Sequence, residues 1–370
     1  MVRSFIVYNL ARLQRIAKQL LMKGLGELIR LRRHPAVWPT PKGTVVVIDR
    51  CLGIGDLFMI SPAIRLLQEC GPVVIVSHYQ KLFEVDIDWK VTKSWEEQQQ
   101  IVQEFIKLGY VVFLPFIGFR GLLFLLRWPG VLPPGVFSLD PETWLDTISN
   151  FVKKVRIQHY VDLPFSAARH LAKSAWGIET TTEVPQRFPA RITETWIPSS
   201  PFLVMAPWAV AQTRRWPLLH WKKLIELLAV AQPELSFVLV GSAGERPQAE
   251  EILKGIKAAP VNLTGKLSLA ETAFVISKSK LLVCCDSGLM HVGLGLDTMV
   301  IALFGSTDPK ARLVGELAIA ISNPGLCPRK IAPCYVGYQR DPVCLTQIEC
   351  LSGLTPEYVA SRILTEPKLT

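Results

Sequence analysis

The chain has 370 residues, 49% of them hydrophobic and 19% charged, with a mean hydropathy of +0.29, which excludes a disordered polymer and leaves room for roughly two domains of ordinary size. Eight cysteines are too sparse for a disulfide scaffold, and no N-terminal stretch joins an apolar run to a small-residue cleavage site, so a reducing, cytoplasmic setting is expected. The formal net charge is +10, but residues 1–42 hold nine basic residues against one acid; the body is nearly neutral, and a surface that tracks a nucleic-acid backbone is not expected.

On a helical wheel, Ile6, Leu10, Leu13, Ile16, Ala17, Leu20 and Leu21 fall on one arc, and Arg12, Arg15, Lys18, Gln19 and Lys23 on the other. Residues 1–42 are therefore expected to form a basic amphipathic N-terminal helical arm, interrupted at Gly24 and Gly26 and followed by Arg30, Arg32 and Arg33. Two readings stay open. The arm lies in an interface with anionic lipid, or it packs on the body or another subunit with its basic face solvated.

From Thr44 onward, apolar β-branched runs alternate with helical patterns: residues 44–48, a helix to about Cys70, residues 73–77, and residues 110–114. This alternation predicts a parallel α/β sheet. Residues 110–137 carry only two charged side chains, Arg120 and Arg127, and Pro115, Gly118, Pro129, Pro133 and Pro134 cut the region into pieces too short for a spanning helix of about 20 residues. Either a buried strand and a short core helix occupy it, or residues 122–128 face lipid or a lipid-linked acceptor.

The alternation restarts after the polar, proline-bearing stretch 187–201, with strands expected at 202–206, 236–241, 281–285 and 299–304. The domains expected are residues 43–195 and 196–350, with a C-terminal helix and tail at 351–370. Ligands of open α/β sheets bind outside the carboxyl ends of the strands, so the turns that follow strands carry the chemistry.

The first strand runs into Asp49-Arg50-Cys51-Leu52-Gly53-Ile54-Gly55-Asp56 and then a helix. Gly53 and Gly55 let backbone approach a ligand, but Phe58 occupies the place of the third glycine of a dinucleotide fingerprint, which disfavours NAD. No Gly-Lys-Ser/Thr phosphate loop is present. Asp56 opens the helix, where its carboxylate either caps free N–H groups or takes a proton from a substrate hydroxyl. In the second half, Gln212-Thr213-Arg214-Arg215-Trp216-Pro217 places two guanidinium groups ahead of a proline-started helix, where they either fork onto phosphate or lie in a solvated loop. Asp286-Ser287-Gly288-Leu289-Met290-His291 reads as a strand end and a helix start, whose free N–H groups make an anion site beside His291. A second polar turn follows at Phe304-Gly305-Ser306-Thr307-Asp308-Pro309.

In this order the segments resemble glycosyltransferase family 9, the ADP-heptose:lipopolysaccharide heptosyltransferase group, from about Val45 to Thr307. The Asp286–His291 block with the Phe304–Pro309 turn carries most of the resemblance; the Leu-Gly-x-Gly-Asp turn and the Arg-Arg-Trp-Pro segment support it. The resemblance implies a GT-B architecture: two facing Rossmann-like domains with the active site in the cleft, the acceptor on the first and the nucleotide-sugar on the second. It also implies inversion at the anomeric carbon without a metal or other cofactor. By motif position Asp56 becomes the general base, with Gly53 and Gly55 in the acceptor-side turn. Thr213 and Arg214 go to the diphosphate, Asp286, Ser287, Gly288 and His291 to the donor, and Lys266, Leu267 and Ser268 to the border of the nucleotide pocket.

The partners implied are ADP-heptose or a related donor, a lipopolysaccharide-like glycan or glycolipid acceptor, and an anionic membrane surface met by residues 1–42 on the inner face of the plasma membrane. Arg214 stands where the family usually has lysine, which changes the hydrogen-bond geometry, and residues 113–136 are unusually apolar for the acceptor domain. Two rival functions share the architecture. A nucleotide-sugar epimerase needs no lipid acceptor, against which the membrane-seeking arm speaks; a catalytically silent scaffold need not retain Asp56, Arg214, Asp286 and His291.

Cys327, Cys334, Cys344 and Cys350 contain no Cys-x-x-Cys pair, so a zinc site has little support from spacing. Cys284 and Cys285 are expected to pack at a strand end, and His78, His159, His170 and His220 share no ligand spacing and read as structural.

Overall fold

The computed structural model describes residues 40–48, 53–115, 136–138, 162–180, 187–313, 317–330, 332–334, 344 and 348–366. The arm up to residue 39 and the apolar residues 122–128 lie outside these, and so do the lipid contacts expected of them. The chain divides into two compact units, Met1–Phe188 and Pro189–Thr370.

The first unit runs β1 (Gly43–Ile48), α1 (Ile54–Cys70), β2 (Val73–Ser77), β3 (Asp88–Val91), α2 (Trp95–Lys107), β4 (Tyr110–Leu114), β5 (Val136–Ser138) and α3 (Asp162–Trp176). Its five strands are all parallel, in the order β3-β2-β1-β4-β5. Every residue of β1 and β2 is buried, which is why both read as unbroken valine and isoleucine runs rather than as alternating ones. Helix α1 continues through Pro62. Proline cannot donate to the Phe58 carbonyl one turn earlier; Ser61 Oγ donates to that carbonyl instead, at 2.8 Å, and accepts the Phe188 amide at 3.1 Å. Phe83 meets Phe58, Trp89 and Phe188 at centroid distances of 5.1, 5.7 and 5.4 Å, which fixes the start of α1 against the loop after β2. The buried amide of Gln98 on α2 donates to the carbonyls of Ile48 and Val76, so the ends of β1 and β2 are hydrogen-bonded at the carboxyl edge.

The second unit runs β6 (Phe202–Ala206), α4 (Leu218–Ala231), β7 (Ser236–Leu239), α5 (Arg246–Leu253), β8 (Val261–Asn262), α6 (Leu269–Lys278), β9 (Leu281–Cys285), α7 (Gly288–Gly295), β10 (Val300–Phe304), α8 (Pro309–Arg312), β11 (Ala318–Ser322), α9 (Glu349–Ser352) and α10 (Pro356–Leu364). The six strands are parallel, in the order β11-β10-β9-β6-β7-β8. Counted from its own first strand this is the 3-2-1-4-5-6 order of a Rossmann sheet, and the first unit follows the same rule over five strands. The fold class is therefore the expected α/β one. Trp216 and Trp221 are fully buried at the centre of this unit, 5.3 Å apart and nearly perpendicular. Helix α10 packs on α4 and brings Val359, Ala360 and Ile363 into the same core. The stretch before β6 is pinned to this unit by the Thr193 amide, which donates to the Ala270 carbonyl at 3.0 Å. Among the described residues no helix is long and apolar enough to cross a membrane.

Candidate active site

In a sheet of this order the chain runs from β6 to β7 on one side and from β9 to β10 on the other, and the crevice opens between the carboxyl ends of β6 and β9. The segment after β6 contains Trp208, whose Nε1 donates to the Val240 carbonyl at 2.8 Å. The ring passes over Gly241, where a Cβ would lie 2.2 Å from Nε1, so only glycine fits. Next comes a short 3-10 turn, Gln212–Arg214. Trp216 anchors its far end by donating to the Leu354 carbonyl at 2.9 Å.

The two adjacent arginines make different contacts. Arg215 Nε donates to the Ala209 carbonyl at 2.6 Å, which braces the loop on itself. Arg214 Nη1 turns to the end of β9 and donates to the Asp286 carbonyl at 3.1 Å and to Asp286 Oδ2 at 3.4 Å. The Arg214 side chain is 15% exposed and that of Asp286 only 2%, so the ion pair is buried with the guanidinium on its open side. Thr213 is buried beside it, and its Oγ1 accepts a hydrogen bond from Ser306 Oγ at 3.0 Å. The turns after β6, β9 and β10 thus meet at one place.

Ser287 is the N-cap of α7, with extended backbone and no hydrogen bond from its side chain to the first turn. Ser287, Gly288 and Leu289 are partly exposed, while His291, the fourth residue of α7, is buried. A helix start whose amides its own cap residue leaves unsatisfied attracts an anion. Cys285, just before Asp286, donates its Sγ to the Pro207 carbonyl at 3.2 Å. Burial pushes this thiol up to about 12, and Cys284 is pushed up by the same cause, so both pack as neutral thiols.

Lys266, Leu267 and Ser268 lie in the turn after β8. Gly265 there has φ +71°, and a Cβ on it would come within 2.6 Å of Ala243 Cα; its amide donates to the Gly241 carbonyl at 2.9 Å. This places the turn beside the loop after β7. The Lys266 side chain is exposed and Leu267 half-buried. Ser268 is committed to α6: its Oγ accepts from the Glu271 amide at 3.2 Å and its own amide donates to Glu271 Oε2 at 2.7 Å, a capping box. Two hydroxyls on this carboxyl edge, those of Thr264 and of Thr307 in the polar turn 304–309, had no role assigned from the sequence and are buried without a hydrogen-bond partner. The turn chemistry of residues 305–307 was the available signal for the second.

In the first unit, Asp56 is the third residue of α1 and half-buried. Its Oδ2 accepts the Gly53 amide at 2.8 Å, so the capping interaction is present. Gly53 has φ −81°, and a Cβ there would meet only Asp56 Oδ2, at an ordinary 3.5 Å, so neither strain nor crowding demands glycine. Gly55 is buried in the first turn of α1. Burial first, and then the nearby Asp56 carboxylate, hold the Tyr79 phenol above its ordinary range. Tyr79 stacks at a tilt on His78, with centroids 4.0 Å apart, and its carbonyl accepts from Trp89 Nε1 at 2.8 Å.

In the tail, Cys327, Cys334, Cys344 and Cys350 are free cysteines. Burial first, and then the neighbouring thiols, raise Cys334 and push Cys350 up to about 11. Among the described residues no group of three or more His, Cys, Asp or Glu side chains could hold a metal ion.

The family model of glycosyltransferase family 9 (heptosyltransferase) matches residues 144–330, half of the chain. Lipooligosaccharide heptosyltransferase 2 of Haemophilus influenzae is 37% identical over 101 residues, which is 26% of this chain and 29% of that relative; the aligned segment thus spans under a third of the relative's length. Among solved structures, Escherichia coli ADP-heptose lps heptosyltransferase II superposes with a TM-score of 0.64 at 18% identity, covering 88% of this chain and 98% of the other. The iron-containing dodecameric glycosyltransferase TibC of enterotoxigenic E. coli gives 0.57 at 14% identity, covering 89% and 77%. Both likenesses are of fold.

Proposed function

The chain belongs to glycosyltransferase family 9, the heptosyltransferases, and from that premise we propose that it moves heptose or a related sugar from a nucleotide-diphosphate donor, ADP-heptose foremost, to a lipopolysaccharide-like glycan or glycolipid. The observation that carries this reading is the meeting of Thr213, Arg214, Asp286 and the amide-rich start of α7 at the switch point of the second sheet. A diphosphate is dianionic or more at neutral pH; it needs a cation that is fixed before it arrives and amides that need no reorganisation. Arg214, oriented by the buried Asp286, is that cation, and the first turn of α7 supplies the amides.

In the reaction proposed, the acceptor hydroxyl gives its proton to the Asp56 carboxylate while its oxygen forms a bond to the anomeric carbon. The bond from that carbon to the diphosphate oxygen breaks on the opposite face, and the diphosphate leaves with the electron pair. The sugar is inverted in a single displacement. Asp56 suits the base role because it stands at the carboxyl end of β1 on the first turn of α1, and a positioned base contributes about 10²- to 10⁴-fold. Charge on the leaving group falls to Arg214 and α7, so the transfer runs without a metal. The acceptor lies at a membrane, and residues 1–42 hold the enzyme to its anionic cytoplasmic face.

The test is calorimetric titration of the protein with ADP, UDP and GDP in EDTA. ADP binds selectively, and Arg214→Ala weakens it by roughly tenfold or more, the worth of a charge-assisted hydrogen bond. Failure of every nucleotide to bind, or binding only after a divalent metal is added, refutes the reading.

A further inference from the structure

The turn after β10 contains a group that the assembly described above leaves without a task. Thr307 is 3% exposed and its Oγ1 makes no hydrogen bond. Neighbouring polar groups in the same turn are committed: Ser306 Oγ donates to Thr213 Oγ1 at 3.0 Å, and Asp308 Oδ1 accepts the Lys310 amide at 2.9 Å. Gly305 lies so near the 3-10 turn of Thr213 and Arg214 that a Cβ on it would come within 3.2 Å of the Thr213 carbonyl. Thr307 therefore sits at the carboxyl edge of the sheet, in the turn after β10, the strand that pairs with the one leading into Asp286. A buried hydroxyl without a partner costs on the order of 1–3 kcal/mol, and such a group in a folded protein calls for a reason.

We infer that the Thr307 hydroxyl is a further donor-binding group, which gives its hydrogen to an oxygen of the diphosphate. This deepens, and rests on, the nucleotide-sugar reading above. Phosphate oxygens are acceptors only, so they complement a hydroxyl that has a hydrogen to give. Arg214 contributes charge with broad reach, whereas the short, fixed threonine side chain contributes direction, and its two torsional neighbours Ser306 and Asp308 are held by the bonds just named. The place in the turn after β10 and the missing partner are what separate Thr307 from Ser306, whose hydrogen is already given to Thr213 Oγ1.

The experiment compares wild-type protein with Thr307→Val, which keeps the shape and removes the hydroxyl, and Thr307→Ser, which keeps the hydroxyl. Each is titrated with ADP and with adenosine, and each is melted without ligand. Thr307→Val is expected to weaken ADP about tenfold, in line with a hydrogen bond to a charged group, and to leave adenosine unchanged. Thr307→Ser holds ADP within about threefold of wild type. The ligand-free melting temperature of Thr307→Val equals or exceeds that of wild type, because a buried polar group with no partner has been removed. A merely structural hydroxyl gives the opposite sign, a lower melting temperature, and that overturns the inference. Unchanged ADP affinity in Thr307→Val overturns it as well. An equal penalty with adenosine assigns the hydroxyl to the nucleoside and overturns the diphosphate contact. Wild-type protein that binds no ADP is a different result, since it removes the donor reading on which the inference stands.

Discussion

Removing Arg214 alone should be more damaging than removing both members of the Arg214–Asp286 pair. Asp286 is almost completely enclosed and Arg214 mostly so. Arg214→Met takes away the guanidinium that faces the buried carboxylate. Breaking a buried pair in this way costs about 3–5 kcal/mol, which for a unit of this size lowers the melting temperature by roughly 6–20 °C. Asp286→Asn leaves an arginine that reaches solvent on its open side and costs about 1–2 kcal/mol. The double variant leaves no buried charge, and its loss is smaller than that of Arg214→Met alone. The assay is urea denaturation of the four proteins at pH 7.5, read as a double-mutant cycle. A loss below about 1 kcal/mol in Arg214→Met, or a double variant as unstable as the two single losses added together, refutes the claim that the pair is buried and mutually compensating.

Gly241→Ala drives a methyl into the Trp208 indole, 2.2 Å from Nε1; overpacking of this kind costs about 1–3 kcal/mol or more, and a urea midpoint equal to wild type contradicts the packing described. Stability also falls at alkaline pH. Cys285 goes from an ordinary 9.0 to about 12 on folding, so its contribution is complete below about pH 9 and is lost as pH rises through the window up to about 12. At pH 10 the unfolded thiol is mostly ionised and the folded one is not, a difference on the order of 1 kcal/mol against folding. Cys285→Ala flattens that slope, and an unaltered pH dependence argues against the buried thiol. Asp56→Asn removes a negative charge that holds the Tyr79 phenol up, so ultraviolet difference titration against Tyr79→Phe shows Tyr79 ionising at lower pH. No change shows that the two side chains do not sense one another.

The parts of the fold legible in the sequence are those whose physics is local. Residues 44–48, 202–206 and 281–285 are strands because fully buried parallel strands need continuous β-branched or apolar runs, and such runs are visible without partners. The expected strands at 236–241 and 299–304 are shorter by two residues and one, ending at Leu239 and starting at Val300; ladder ends depend on neighbours. Edge strands were missed. Asp88–Val91 is half-exposed with charges at alternate places, and Val261–Asn262 has only two residues, so neither carries a periodic signal. In the site, Asp286 and Ser287 were legible because a strand end followed by a helix start is a local pattern. The choice of Arg214 over Arg215 comes from the family resemblance and not from local pattern, since the contacts that separate them, with Asp286 and with the Ala209 carbonyl, are tertiary or loop-specific. The Ser306–Thr213 bond, which joins residues 93 apart in sequence, was not legible.

The most direct test of the account is a transfer reaction with ADP-heptose and a heptose-deficient lipopolysaccharide in EDTA, with the anomeric configuration of the product read by nuclear magnetic resonance. Wild-type protein transfers the sugar with inversion and releases ADP, whereas Asp56→Asn binds ADP as tightly and turns over about 10²- to 10⁴-fold more slowly. Retained configuration, full activity in Asp56→Asn, or transfer that stops in EDTA and returns with a metal contradicts it.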